Sequence, residues 1–258
     1  MTDTNLQLSI FQIDLTYKDK QKNLSNIDSL ANNITNTDII LLPEMFNTSF
    51  ITNDTSLAEA MDGPTITWMQ KLAKKKKASV AGTLIVKDKG YFYNRLVWVR
   101  KDQTLLHYDK YHLFSLAKED KIFTKGKEKI IINEKGWNIC PLICYDIRFP
   151  VFCRNKEEYD VLIFLSSWPE KRIEAWDTLL KARAIENQCY MIGANQVGEH
   201  ENGRNTHGES MIIDPWGKVL ATQNMGVGVV IADIDLNYLS VLREEFPVWS
   251  HRKIIVNK

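Results

Sequence analysis

Three stretches of this 258-residue chain run apolar for several residues and then end on an ionisable side chain. Asp38–Leu42 is followed by Pro43 and Glu44; Thr104, Leu105 and Leu106 lead through His107, Tyr108 and Asp109 to Lys110; Trp137–Ile143 ends at Cys144. A carboxylate, an ammonium and a thiol form a coherent chemical set. A thiol attacks carbon only as the thiolate, which needs a neighbouring base or cation. A carboxylate serves as that base when burial raises its proton affinity. A fixed ammonium can hold the oxyanion of a tetrahedral intermediate. Ligands of α/β sheets bind outside the carboxyl ends of the strands, so three residues at strand ends can converge there.

Each of these residues also has a plain structural reading. A buried free cysteine is commonly a small hydrophobe, and Cys140, Cys153 and Cys189 are assigned to packing. Asp146 and Arg148 can form a structural ion pair beside the strand end. His107 and His112 flank Lys110, and one of them could pair with a cysteine as in papain-like hydrolases, but no accompanying Asn motif supports that. The sequence has no CxxC and no HxH or HxxxH pair, so a metal site is not expected. The run Lys74–Lys77 reads as solvated cations at a helix C-terminus, where they complement the helix dipole.

The elements that must position these residues follow from apolar periodicity. Alternation at Leu6, Leu8 and Ile10 predicts a first strand, and Leu24, Ile27, Ala31 and Ile34 predict a helix over Lys18–Ile34. Asp38–Leu42 reads as a strand buried on both faces. Pro64 opens a second helix with Ile66, Met69 and Ala73 inward. Ser79–Val86 and Tyr91–Arg100 read as a hairpin around Lys87-Asp88-Lys89-Gly90. Further strands are expected at Asn138–Cys144, Val161–Ser166, Tyr190–Ala194, Ser210–Ile213 and Val229–Ile234. Ile173, Trp176, Leu180 and Ala184 mark an amphipathic helix between two of them. Hairpins mixed with strand–helix alternation favour a layered α/β sandwich over a doubly wound sheet. With no low-complexity linker and no internal repeat, residues 1–258 read as a single domain.

Composition narrows the function classes. Thirty-three Lys and Arg against 32 Asp and Glu leave a net charge of +1, which argues against nucleic acid as a partner. No apolar run approaches the roughly 18 residues of a membrane span; Val161–Leu165 has strand length. The segment MTDTNLQLSIFQ carries Asp3 and no early Lys or Arg, unlike a secretion signal. Four cysteines without such a signal suggest free thiols in a reducing cytoplasm.

Three blocks carry a resemblance: Leu42-Pro43-Glu44-Met45-Phe46, Tyr108-Asp109-Lys110-Tyr111-His112-Leu113-Phe114 and Cys144-Tyr145-Asp146-Ile147-Arg148-Phe149-Pro150. Together, and in this order, they resemble the signature blocks of the nitrilase, or carbon–nitrogen hydrolase, superfamily. Asn94-Arg95, Phe123 to Gly126, Ser166-Ser167-Trp168-Pro169, Ala182–Asn187 and Gly208-Glu209-Ser210 extend the likeness over nearly the whole chain. The wording Cys-Tyr-Asp-Ile-Arg-Phe-Pro-Val followed by Arg154-Asn155 is similar to the omega-amidase branch. The resemblance implies a four-layer α-β-β-α sandwich, pairing with a second subunit as a homodimer, and a cofactor-free mechanism that uses Glu44, Lys110 and Cys144. It also implies a second glutamate in the loop after Lys110, which by position is Glu119; Asp120 follows it where relatives often carry His.

On this reading the thioester-forming nucleophile is Cys144, and the oxyanion lies between Lys110 and the Tyr145 backbone N–H. The substrate is a small-molecule amide, specifically the omega-amide of a 2-oxo acid such as 2-oxoglutaramate or 2-oxosuccinamate. Its distant carboxylate needs a cation. Arg172 is the candidate, because a guanidinium grips a carboxylate through two parallel bonds; Lys171 offers only a point charge. Phe46 and Trp168 are the candidate pocket walls. Two alternatives stand beside this reading: another branch, acting on a nitrile, an N-carbamoyl amine or a deaminated peptide amide, and a catalytically silent binding subunit, against which the intact Glu44, Lys110 and Cys144 argue.

Overall fold

A computed structural model describes residues 4–199 and 205–251; Asp3 lies outside the described residues. The chain begins with β1 (Asn5–Gln12), α1 (Lys20–Asn32), β2 (Ile39–Leu41) and α2 (Pro64–Lys76), followed by β3 (Ser79–Asp88), β4 (Tyr91–Val99), β5 (Leu105–Asp109) and the single turn α3 (Glu119–Ile122). It continues through β6 (Ile132–Glu134), β7 (Trp137–Ile143), α4 (Pro150–Cys153), β8 (Val161–Ser166), α5 (Ile173–Asn187) and β9 (Tyr190–Asn195). The last elements are β10 (Val197–Gly198), β11 (Thr206–His207), β12 (Ser210–Ile213), β13 (Val219–Gln223), β14 (Gly228–Asp235) and α6 (Leu236–Glu245).

Twelve of the strands form two six-stranded sheets, in the orders β14-β1-β2-β3-β4-β5 and β13-β12-β9-β8-β7-β6. Both sheets have the same plan: a parallel centre of three strands (β1-β2-β3 and β7-β8-β9) flanked by antiparallel pairs. The strand period of two sorts the side chains of β1 and β4 onto two faces. Leu6, Leu8, Ile10, Leu96 and Trp98 join β7, β8, β9 and the α5 residues Trp176, Leu180 and Ala184 in one buried cluster. Phe11, Ile13 and Val97 face the other way, against Ile27 and Ala31 of α1 and Ile66, Met69 and Ala73 of α2. The layers therefore run helix, sheet, sheet, helix. Each fully buried Leu, Ile, Val or Phe contributes about 1.5–3 kcal/mol, so the centre between the sheets holds the site elements rigidly.

The predicted hairpin forms, with Lys89 at φ 49° and Gly90 at φ 85° between paired Asp88 and Tyr91. Positive φ at both central residues is the type I′ geometry that matches strand twist, and glycine adopts it without a Cβ clash. The first helix is shorter than Lys18–Ile34. Lys18 has φ 61°, which no helix interior accommodates, and the Asp19 carboxylate caps the helix by accepting from the Lys22 amide. The lysine run ends α2, where Lys75 reaches Asn32 Oδ1 and Lys76 the Ile34 carbonyl. Strands β6 and β13 and helix α6 have no counterpart in the sequence reading.

Candidate active site

Glu44, Lys110 and Cys144 all leave the carboxyl ends of strands, and Ser166 at the end of β8 joins them there. Glu44 and Lys110 come from the first sheet, Cys144 and Ser166 from the second. Glu44 closes the gap between the sheets: its amide donates to the Ser166 carbonyl at 3.3 Å, and its Oε2 accepts from the Ser167 amide at 3.0 Å. Met45, the next residue, has φ 50°, so the chain turns sharply at this point.

Lys110 is buried, and its Nζ donates to Glu44 Oε1 at 2.8 Å and to both oxygens of Glu119 at 3.1 and 2.8 Å. Asn94, from the middle of β4, spends its side-chain amide on the same two acids, 2.8 Å from Glu44 Oε1 and 2.8 Å from Glu119 Oε1. The Phe114 amide completes Glu119 by donating to Oε2 at 2.7 Å. Burial opposes the charge on Lys110, but Glu119 and Glu44 outweigh it and hold the ammonium above its ordinary range. Burial pushes the Glu119 carboxyl up, Lys110 draws it back, and the charge of Glu44 adds to the rise. Every oxygen of both acids faces a donor.

Cys144 begins a 3₁₀ turn (Cys144–Arg148) at φ 39°, a left-handed conformation for a residue with a Cβ. Burial pushes its thiol up, the Glu44 charge adds to that, and Lys110 and the Ser167 amide oppose it. The thiol thus stays protonated until a base takes its proton, with a carboxylate and an ammonium both close enough to act on it. In the first turn of such a helix the Tyr145 amide has no partner within the turn, so it points free of the helical ladder. Cys140, Cys153 and Cys189 are fully buried, and burial raises all three thiols.

Above Cys144 lies a narrow pocket of about 20 Å³, lined among others by Phe50, Phe114, Tyr145, Arg148, Trp168 and Arg172. Trp168 is held from both sides by Asn195, which accepts from its amide at 2.7 Å and donates to its carbonyl at 3.2 Å. The Arg148 guanidinium lies 4.8 Å over the Trp168 ring, and that of Arg172 lies 5.4 Å over Phe114. Arg148 is half-buried and makes no ion pair among the described residues, whereas Arg172 is exposed at the rim.

The profile of the carbon–nitrogen hydrolase family matches residues 6–244. The chain belongs to the carbon–nitrogen hydrolase family. It is 38% identical over 249 residues to the omega-amidase YafV of Yersinia enterocolitica, covering 95% of this chain and 96% of that one. It is 34% identical over 248 residues to the 2-oxoglutaramate amidase of Bacillus subtilis, covering 94% and 95%. A solved CN-hydrolase superfamily protein from Xanthomonas campestris, crystallised with an arsenic adduct in its active site, superposes with a TM-score of 0.96. Its sequence identity is 33%, over 98% of this chain and 99% of that one.

Within this carbon–nitrogen hydrolase the sequence-derived candidates separate into two groups. Glu44, Lys110 and Glu119 meet in one hydrogen-bonded cluster, and Lys110, Cys144, Tyr145, Trp168 and Arg172 line one pocket. Phe46 is elsewhere: it is buried on the helix side of the first sheet, 5.9 Å from the Trp68 ring and directly over Gly82, where a Cβ would approach it to 2.5 Å. The turn at Met45 carries Phe46 to that face, and Phe50 and Phe114 take its place at the pocket. Asp146 and Arg148 do not pair with each other; Asp146 binds His112 and Tyr108, and Arg148 faces the pocket. His112 thereby partners a carboxylate rather than a cysteine. Sequence reasoning missed Asn94 and Arg148 as site residues, although both fall inside the blocks that carry the resemblance. Among the described residues no group of three His, Cys, Asp or Glu side chains could hold a metal ion, and no helix is long and apolar enough to cross a membrane.

Proposed function

We propose that this enzyme hydrolyses the omega-amide of small 2-oxo acids, with 2-oxoglutaramate and 2-oxosuccinamate as the expected substrates, releasing ammonia and the dicarboxylate. The observation that carries the reading is a buried acid–ammonium pair beside a protonated thiol, opening onto a pocket with two guanidinium groups. The names of the relatives from Yersinia enterocolitica and Bacillus subtilis support it.

In the proposed cycle Glu44 takes the Cys144 proton as sulfur attacks the amide carbon. The oxyanion gathers between the Lys110 ammonium and the Tyr145 N–H, donors already fixed before charge develops. The tetrahedral intermediate collapses as Glu44 returns the proton to nitrogen, expelling ammonia and leaving a thioester on Cys144. The same carboxylate then activates water, which hydrolyses the thioester and frees the acid. Glu119 anchors Lys110 throughout, and side chains together with the Tyr145 backbone N–H fill every role in the proposed cycle. The remote carboxylate of the substrate is met by Arg172 at the rim and by Arg148 deeper in, with Trp168 as the wall.

The reading takes the chain as one domain, in support of which both sheets contribute to a single site. It places the enzyme in the cytoplasm as a homodimer; exposed apolar side chains on the α5–α6 side, including Ile185, Trp216, Val241 and Phe246, support a second copy as the partner. An ammonia-release assay on a panel of small amides, nitriles and N-carbamoyl amines tests the substrate class. The 2-oxo acid amides are expected to have the highest kcat/KM, and mass spectrometry is expected to catch an acyl adduct on the Cys144 peptide. Preference for a nitrile, or an adduct on Cys140, Cys153 or Cys189, would overturn the reading.

A further inference from the structure

The cluster around Lys110 and the turn at Cys144 arise on different sheets, and a single buried carboxylate ties the two chain segments together. Asp146, two residues after Cys144, is fully buried. Its Oδ2 accepts from the Ile143 amide at 3.1 Å, immediately before the cysteine, and from the Tyr108 hydroxyl at 2.7 Å, two residues before Lys110. Its Oδ1 accepts from the His112 amide at 3.0 Å, two residues after Lys110, and lies 2.8 Å from His112 Nδ1. A carboxylate only accepts here, so His112 carries a proton on Nδ1. The Tyr108 oxygen in turn accepts from the Tyr111 amide at 3.1 Å. Residues 108, 111 and 112 bracket Lys110; residues 143 and 146 bracket Cys144. Burial, and then the charge of Asp146, pushes the Tyr108 hydroxyl well above its ordinary range, which keeps it a donor.

We propose that Asp146 is a positioning residue that sets the distance between the Lys110 ammonium and the Cys144 sulfur, and holds the cysteine in its left-handed conformation, without touching substrate. The arrangement suits that task better than it suits stability alone. Buried acids are commonly neutralised by one strong cation, yet the Arg148 guanidinium nearby is left to the pocket, and Asp146 is satisfied by four donors split between the two catalytic segments. If Lys110 and the sulfur drift apart, the oxyanion site opens and the thiolate loses its nearest cation. A displacement near 1 Å is worth on the order of 100-fold in rate.

This inference rests on the reading of Cys144 as nucleophile and Lys110 as its electrostatic partner, and its test is built to fail separately from the choice of substrate. Asp146→Asn keeps the shape but turns one acceptor into a donor facing donors. It is expected to lower kcat on 2-oxoglutaramate about 100-fold with KM within about threefold, and to shift the pH profile of iodoacetamide alkylation at Cys144 to higher pH. Adding Tyr108→Phe to that variant is expected to cost nothing more, whereas Tyr108→Phe alone costs about fivefold. A folded Asp146→Asn enzyme with kcat within threefold of the parent and an unmoved alkylation profile would overturn the proposal. If Asp146→Asn does not fold, Tyr108→Phe decides: unchanged kcat and unchanged alkylation overturn it, and parallel losses in both support it. Should the parent enzyme fail to turn over 2-oxoglutaramate, the substrate reading falls, while the alkylation profiles still decide the role of Asp146.

Discussion

The charged interior of the site and the mouth of its pocket solve the problem of holding ions in opposite ways. Inside, Glu44, Lys110, Glu119 and Asn94 are all buried, and each charged atom meets a protein partner. At the mouth, Arg148 and Arg172 lie over the faces of Trp168 and Phe114, partly in contact with solvent. Interior charges stripped of water interact strongly but tolerate no missing partner. Cations over aromatic faces give up little hydration, and a guanidinium can grip a carboxylate through two parallel bonds. The difference teaches that the interior is preorganised by its own paired charges, while the mouth is arranged by packing of cations on aromatic faces.

The largest test of that contrast is Lys110→Ala. A fixed cation at a developing oxyanion is worth about 3–4 kcal/mol, so kcat is expected to fall roughly 10²–10³-fold with the circular dichroism spectrum unchanged. Retention of more than about a tenth of the activity would break the idea of a preorganised interior. The mouth is expected to show a smaller and more selective effect. Arg172→Ala and Arg148→Ala should each lower kcat/KM on 2-oxoglutaramate by roughly 10–100-fold, the worth of one charge-assisted bond, about 1.5–3 kcal/mol. Butyramide, a neutral amide with no carboxylate, should lose little, and equal losses on both substrates would mean that the arginine supports the fold instead. The smallest effect is expected at Phe46, outside both regions. Phe46→Leu should cost about 1 kcal/mol in denaturant unfolding with kcat/KM for 2-oxoglutaramate unchanged; a specific loss of activity would place this residue at the pocket after all.

Much of this division could be read from residue types and order. Strand-end placement brought Glu44, Lys110 and Cys144 under consideration, and the period of two placed Leu6, Leu8 and Ile10 on one face. What escaped was orientation after the strand ended. Beyond Leu41 the period of two no longer applies, and the positive φ of Met45 sends Phe46 to the helix side of the sheet. A neighbour two positions along from a candidate catalytic residue is also ambiguous in one dimension. Asp146 and Arg148 look like a pair in sequence, but the 3₁₀ turn points one back between the strands and the other into the pocket. Asn94 lies mid-strand, where polarity alone does not announce two acidic partners from distant loops. Strand β13 was missed because its apolar residues are only partly buried, and helix α6 because its buried Leu239 and Leu242 lie among the exposed apolar Tyr238 and Val241.

The uneven burial of the thiols makes the protein its own gauge of integrity. Of the four cysteines, Cys144 is 9% exposed at the base of a narrow pocket, whereas Cys140, Cys153 and Cys189 are 0% exposed and packed around the second sheet. A thiol reagent small enough to enter the pocket therefore counts one group per folded chain and four per unfolded chain. The slow appearance of the other three measures how often the second sheet opens, and substrate bound over Cys144 silences the first signal without altering the rest.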